Sequence, residues 1–315
     1  MEKGNVTTVK DFILSGFPAQ IQFKGAFFCL FLVFYILTVM ENIIIIAMIR
    51  ANRNLHKPMY FFLSNLAFLE LCYISTTVPN LLANLATANK HISFESCMTQ
   101  LFFFISLLCT ECVLLAVMAL DRYVAICHPL RYPTIMCSSL CMQLAAGTWL
   151  SGFLITAIKV AIISRLEFCG SNIINHFFCD VSPVLNLACI DMSLAELVDF
   201  IIALIILIIP LLVTVVSYLC IILTILKIPT TTGRWKAFST CASHLSVVSI
   251  FFTSTLFIYA RPKKISSFEM NKLISTVYAV ITPMVNPIIY CLRNKEMKLI
   301  LQKTFRLKSS SSQTT

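Results

Sequence analysis

Continuous apolar runs recur along the chain at residues 25 to 49, 58 to 82, 97 to 126, 141 to 163, 196 to 226, 238 to 260 and 270 to 292. Each is long enough to cross a hydrocarbon core as a helix, so the pattern predicts an all-α membrane protein, a bundle of seven transmembrane helices. A transmembrane barrel is excluded: its strands alternate apolar and polar positions over about ten residues, whereas these runs stay apolar for about twenty or more. The runs divide the chain into an N-terminal segment (1–24), a seven-helix body (25–292) and a tail (293–315). In the tail Met297, Ile300, Leu301 and Phe305 share one helical face, interleaved with Lys298, Lys303, Arg306 and Lys308, which predicts a short amphipathic helix along the inner leaflet. The closing Ser, Gln and Thr residues, 309–315, are expected to be disordered. No internal repeat is visible, which argues against the inverted-repeat transporters.

Composition agrees: 58% of residues are hydrophobic, 12% are charged and the mean hydropathy is +0.88. The first 24 residues mix Glu2, Lys3, Lys10, Asp11 and Lys24 with polar positions, so no cleavable signal peptide is expected and the first helix is the insertion signal. With the N-terminus outside, 14 of the 24 Lys and Arg residues fall on the cytoplasmic side and 10 elsewhere. That bias supports a multi-pass plasma-membrane protein with an extracellular N-terminus. The basic excess then faces lipid and an inner partner, and no nucleic acid is expected. Asn5-Val6-Thr7 is a glycosylation sequon in the outer segment.

Of fourteen cysteines, four lie in predicted outer positions: Cys97 at the start of the third helix and Cys169, Cys179 and Cys189 in the second outer loop. Three pairings are open in an oxidising compartment; the preferred one joins Cys97 to Cys179 and Cys169 to Cys189. No His/Cys cluster has metal-ligand spacing, no nucleophile and base recur at a recognisable spacing, and seven glycines leave no phosphate-cradling loop. Neither a metal centre nor an enzyme is expected.

Asp121, Arg122 and Tyr123 place ionisable groups at the inner end of the third run. Such a pair can act as a latch, with Arg122 held by Asp121 in one state and released toward a cytoplasmic partner in another; the alternative is an interfacial anchor. In the seventh run Pro287 follows Asn286, with Tyr290 three residues on; the ring removes a backbone donor and predicts a hinge or a packing kink. Asn42, Glu70, Glu111 and Asn286 lie at comparable depth in four helices and would be costly facing lipid, so they are expected to converge on an interior polar cluster. Such a cluster can hold water, a proton or a small cation such as sodium, or serve only as an interhelical network.

These residues carry a resemblance that covers nearly the whole chain. It resembles the rhodopsin-like G-protein-coupled receptors and, within them, the olfactory receptors. The wider marks are Asn42, Asp121-Arg122-Tyr123, Cys97 with Cys179, and Asn286-Pro287-Ile288-Ile289-Tyr290. The olfactory marks are LHKPMYFFLSNLAFLE (55–70), MALDRYVAICHPLRY (118–132), the loop cysteines with His176-Phe177-Phe178-Cys179-Asp180, Ser217-Tyr218, KAFSTCASHL (236–245) and PMVNPIIYCLRN (283–294).

The resemblance implies a receptor that binds a small, mostly volatile organic molecule among helices three, five, six and seven and activates a heterotrimeric stimulatory G protein. The residues at the outer halves of those helices fit it. Phe104, Ile105, Leu108 and Cys109 come from the third, Ile202, Ala203 and Ile206 from the fifth, Phe252, Thr255, Leu256 and Tyr259 from the sixth, and Thr276 from the seventh. This lining is apolar apart from a few hydroxyls, with Tyr259, Thr255 or Thr276 able to orient one polar group of the ligand, and no acid present to bind an amine. Coupling residues on this reading are Asp121, Arg122, Tyr123, Tyr218, Lys236, Asn286, Pro287 and Tyr290. A receptor for a non-olfactory metabolite is the alternative, and a transporter or channel a more distant one. Departures from the pattern are Glu41 in place of a glycine, Glu70 in place of an aspartate, Phe251-Phe252-Thr253-Ser254 in place of Phe-Tyr-Gly-Thr, and Trp235 in the third inner loop.

Overall fold

A computed structural model describes residues 10–16, 24–87, 90–168, 172–188, 193–259, 268–293, 297–300 and 302. Long helices dominate because, without water, each backbone N–H and C=O within a spanning segment must find its partner inside that segment. In chain order they are α1 (Lys24–Ala51), α2 (Pro58–Thr87), α3 (Phe94–Cys127), the short α4 (Tyr132–Ile135), α5 (Ser138–Ile163), the short α6 (Val181–Leu185), α7 (Ser193–Leu226), α8 (Thr231–Tyr259), α9 (Phe268–Thr276) and α10 (Thr282–Arg293). Six spans are long and apolar enough to cross a membrane, with α9 and α10 contributing to one of them; a bent α8 makes seven.

The helices sort by how much of themselves they hide. α3 is the axis, with 83% of its most apolar window buried, against 22% for α1 and 28% for α7. The outward faces of the peripheral helices carry Ile36 and Met40, Leu150 and Leu154, and Leu212 and Leu223, all exposed, as lipid-facing surfaces should be. α3 and α5 approach closely because residue 152 is glycine: a Cβ there would lie 2.7 Å from the Ser106 carbonyl and closer still to the Thr110 hydroxyl. α2 is tied to α5 by the Trp149 indole, which donates to Asn65 Oδ1 at 3.3 Å.

One end of the bundle is capped. The strands β1 (Asp11–Leu14), β2 (His91–Ser93) and β3 (Ile173–Ile174) form a sheet in the order β2-β1-β3, with β1 antiparallel to β2 (Phe12 opposite Ile92) and parallel to β3 (Leu14 opposite Ile174). Alternation in Asp11-Phe12-Ile13-Leu14 turns Phe12 and Leu14 inward, to full burial, and Phe12 meets Phe94 and Phe168 at ring separations of 6.0 and 5.7 Å. This strand was not expected in the polar N-terminal segment; one polar residue followed by three apolar ones gives a weak signal before tertiary pairing supplies the partners. The Cys97–Cys179 disulfide fastens the cap to α3. Gln100 reinforces it, accepting from the Cys179 N–H at 3.0 Å while its amide donates to the Thr76 carbonyl on α2 at 3.0 Å. Cys169 and Cys189 lie outside the described residues, as does Asn5; their neighbours Phe168 and Ala188 form an antiparallel bridge.

Two helices depart from regularity, α8 toward the opposite, open end and the α9–α10 span just below the cap. α8 bends by 45° between Ser239 and His244, in a stretch with neither Pro nor Gly. Between α9 and α10 the chain widens into a π-helical turn, Val277–Ile281, two residues before Pro283. Pro283 has no N–H for the residue 279 carbonyl and its ring would crowd it, so the wide turn relieves a clash that a regular helix would suffer. The irregularity thus begins ten residues, nearly three turns, before Pro287, where the hinge was expected. In the tail, residues 297–300 are helical, with Met297 buried and Leu299 exposed; Leu301, Lys303, Phe305, Arg306 and Lys308 lie outside the described residues.

Candidate functional site

Beneath the cap a cavity of about 30 Å³ opens between α3, α5, α6 and α7. Its lining is Ile105, Leu108, Cys109 and Cys112 from α3, Lys159 from α5, Val181 from α6, and Ala203, Ile206 and Leu207 from α7. Five residues expected at the ligand site, Ile105, Leu108, Cys109, Ala203 and Ile206, border it. Phe104, Phe252 and Thr255 are buried in the surrounding core instead, Phe104 against Tyr73 and Phe178 and Phe252 edge-on to Phe251. Ile202 and Leu256 are half-buried away from the lining, and the Tyr259 side chain lies outside the described part.

The hydroxyls assigned to ligand orientation have other engagements. Thr255 donates to the Phe251 carbonyl at 2.6 Å and Thr276 to the Lys272 carbonyl at 2.9 Å, each closing on its own helix. Lys159 was missed: the charge tally counts it outside the cytoplasmic set, yet it is only 7% exposed, one turn before the end of α5. A lone cation in an apolar run was the available signal.

The cap floor is held by His176. Phe178 N–H donates to His176 Nδ1 at 3.4 Å, which leaves the ring proton on Nε2 to donate to Ser275 Oγ of α9 at 3.1 Å. Burial, aided by the nearby Lys272 charge, pushes the His176 pKa down to about 3, so the ring is neutral.

Deeper in the bundle the expected polar cluster forms around Glu70. Asn286 of α10 donates to Glu70 Oε1 at 2.7 Å, Asn42 of α1 adds a polar contact to the same carboxyl, and Glu111 of α3 lies within electrostatic reach. All four side chains are buried. Asn42 also donates to the Thr38 carbonyl at 3.0 Å, while its Oδ1 and that of Asn286 are buried acceptors without a partner among the described residues. Carboxyls and amide oxygens are the donor set of a hard cation, and two unserved acceptors fit a cation, a proton or a water. Glu41 is half-buried at the edge of this group. Among the described residues, no group of three or more His, Cys, Asp or Glu side chains can hold a metal ion.

At the open end the latch is arranged differently from the expected neighbour pair. Asp121 is buried and its Oδ1 accepts from the Tyr132 hydroxyl of α4 at 2.8 Å, so its hydrogen bond runs to the inner loop and Arg122 acts on it only through space. Adjacent charges on a helix point about 100° apart, which favours a partner from another element. Arg122 is half-buried within electrostatic reach of Tyr218, Cys241 and His244. Tyr218 of α7 and His244 of α8 lie 2.7 Å apart between hydroxyl and Nδ1, rings stacked. Tyr123 faces His128 at 3.3 Å. The Lys236 and Tyr290 side chains lie outside the described part; Trp235 is 73% exposed.

A cavity under a tethered cap, a polar core and an arginine poised between helices are the parts of a seven-helix receptor, and comparison with known proteins agrees. The family model described as olfactory receptor matches residues 28–308. Olfactory receptor 6B1 of Homo sapiens is 60% identical over 312 residues, covering 99% of this chain and 100% of that protein. Olfactory receptor 226 of Rattus norvegicus is 55% identical over 312 residues (98% and 95%), and olfactory receptor 6B9 of Mus musculus 57% over 300 (95% and 95%). Such receptors are not enzymes; they are G-protein-coupled receptors for small odorants. The chain belongs to the olfactory receptor family.

Proposed function

We propose that this receptor sits in the plasma membrane with its N-terminus and cap outside, takes a small, mostly apolar volatile molecule into the bundle, and activates a stimulatory G protein to raise cyclic AMP. The observation that carries the reading is the cavity between α3, α5, α6 and α7, roofed by the loop that the Cys97–Cys179 bond ties down. An apolar guest gains about 25 cal/mol for each Å² it removes from water there. The cavity is small in this form, so a whole ligand displaces side chains such as Ile206 and Leu207, and motion in α7 is how occupancy reaches the open end. There Tyr218 leaves His244, α8 swings about its bend, and Arg122 is freed toward the G protein. The Asn42, Glu70, Glu111 and Asn286 cluster holds a sodium ion or a proton in the inactive form. The test is cyclic AMP output in cells carrying a stimulatory G protein, challenged with chemically diverse volatiles; ligand-driven transport without nucleotide exchange would replace this reading with a transporter.

A further inference from the structure

We infer that the inner end of α8 is a lipid-docking foot: Trp235 seats in the headgroup boundary of the inner leaflet, and Arg234 and Lys227 hold anionic phospholipid headgroups beside it. The inference rests on the reading of this end of the bundle as the cytoplasmic one. Trp235 is 73% exposed and Phe238, three residues on, is exposed too, in the segment Thr231–Ser239 that bends by 45° from the rest of α8. Large aromatics side by side on one short segment call for a cover. The helical register says which. At 3.6 residues per turn Trp235 stands five turns before Thr253, 18 residues on, and so shares the face of Ile250, Thr253 and Phe257, all exposed on the lipid side of α8. Cys241, His244 and Val248, all buried, mark the other face, the one near Arg122. A partner entering the crevice around Arg122 meets that face and not Trp235. Depth agrees with register. The exposed apolar run of α7 ends at Leu226, and only residues 227–230 separate it from α8. Arg234 reaches back over that turn, its Nε–H donating to the Ile228 carbonyl at 2.7 Å, which holds the next residue, Trp235, at the level where the hydrocarbon ends. An indole suits that level, with an apolar ring and one N–H donor. Arg234 and Lys227 are exposed cations there, complementary to the phosphate and carboxylate of an anionic headgroup.

The test uses the two tryptophans of the chain, Trp149 and Trp235. Full-length receptor in phosphatidylcholine nanodiscs receives a small fraction of phosphatidylserine or phosphatidylcholine brominated near the head of the acyl chain. The emission of Trp235→Phe, an exposed position that tolerates the change, is subtracted from that of wild type to leave Trp235 alone. Both bromolipids quench that signal, and the phosphatidylserine does so at roughly threefold to tenfold lower mole fraction. Arg234→Gln combined with Lys227→Gln removes the preference while quenching persists. Absence of quenching overturns the inference, and so does equal quenching by the two headgroups in the wild type. A Trp235 signal open to aqueous iodide, and shielded only when purified G protein is added, overturns it in favour of that protein as the partner. The readout uses neither ligand nor signalling, and both leaflets carry the probe. Its failure therefore leaves the proposed receptor function intact, and a silent cyclic AMP assay leaves the lipid foot standing.

Discussion

The Tyr132 hydroxyl donates to the Asp121 carboxylate across 2.8 Å, joining the inner loop helix α4 to the end of α3. Burial and the neighbouring Asp121 charge hold the phenol well above its ordinary pKa, so it stays a donor at every physiological pH. Tyr132→Phe deletes the donor and should cost about 1.5 to 3 kcal/mol locally, since the acceptor is a carboxylate. The expected outcome is weaker ligand-driven cyclic AMP at normal surface expression. Asp121→Asn, which removes the charge restraining Arg122 but keeps an acceptor, should instead raise ligand-independent signalling.

Asn286 and Glu70 tie α10 to α2 at 2.7 Å in the buried core. Asn286→Ala removes one of the two amides that serve the buried Glu70 carboxyl and should destabilise the receptor by about 1 to 3 kcal/mol, read as a lower unfolding midpoint. If the cluster holds sodium, the wild-type midpoint rises when choline chloride is exchanged for sodium chloride, and Asn286→Ala loses that increment; equal midpoints in the two salts would leave a proton or a water there.

Gly152 permits the α3 to α5 approach, so Gly152→Ala drives a methyl against Thr110 and Ser106 and should cost about 1 to 3 kcal/mol with reduced surface expression. Gly147, with nothing within 4 Å of a Cβ built on it, is the matched control and should accept alanine without loss.

His176 gives the cap a pH dependence whose sign follows from burial. Its folded pKa, about 3, lies below the ordinary 6.5, so under acid the unfolded chain takes up a proton that the folded one refuses. Stability is therefore flat above about pH 6.5 and falls, by up to about 1.4 kcal/mol per pH unit, as pH drops from there toward 3. Unfolding midpoints between neutral and mildly acid buffer should show that slope in wild type and a shallower one in His176→Gln.

The spans were legible in the sequence because continuous hydrophobicity is a direct statement about lipid, and the polar cluster because four costly side chains at one depth must find one another. Asp121 and Tyr218 were found, but not their partners: Tyr132 and His244 come from elements whose placement only the packed bundle decides. Thr255 and Thr276 looked like ligand donors because a side chain's chemistry is visible in sequence, while its commitment to the carbonyl one turn back is not. Lys159 escaped for the opposite reason. Its charge was counted only as a clue to topology, whereas the structure places it, buried, beside the cavity.

The central claim is that ligand in the bundle is transmitted through Arg122 to a stimulatory G protein. Its most direct test is cyclic AMP in cells carrying that G protein, comparing wild type with Arg122→Ala at matched surface expression against a panel of volatiles. A concentration-dependent response in the wild type that is abolished in the variant is the predicted result; a response of equal size in Arg122→Ala would contradict it.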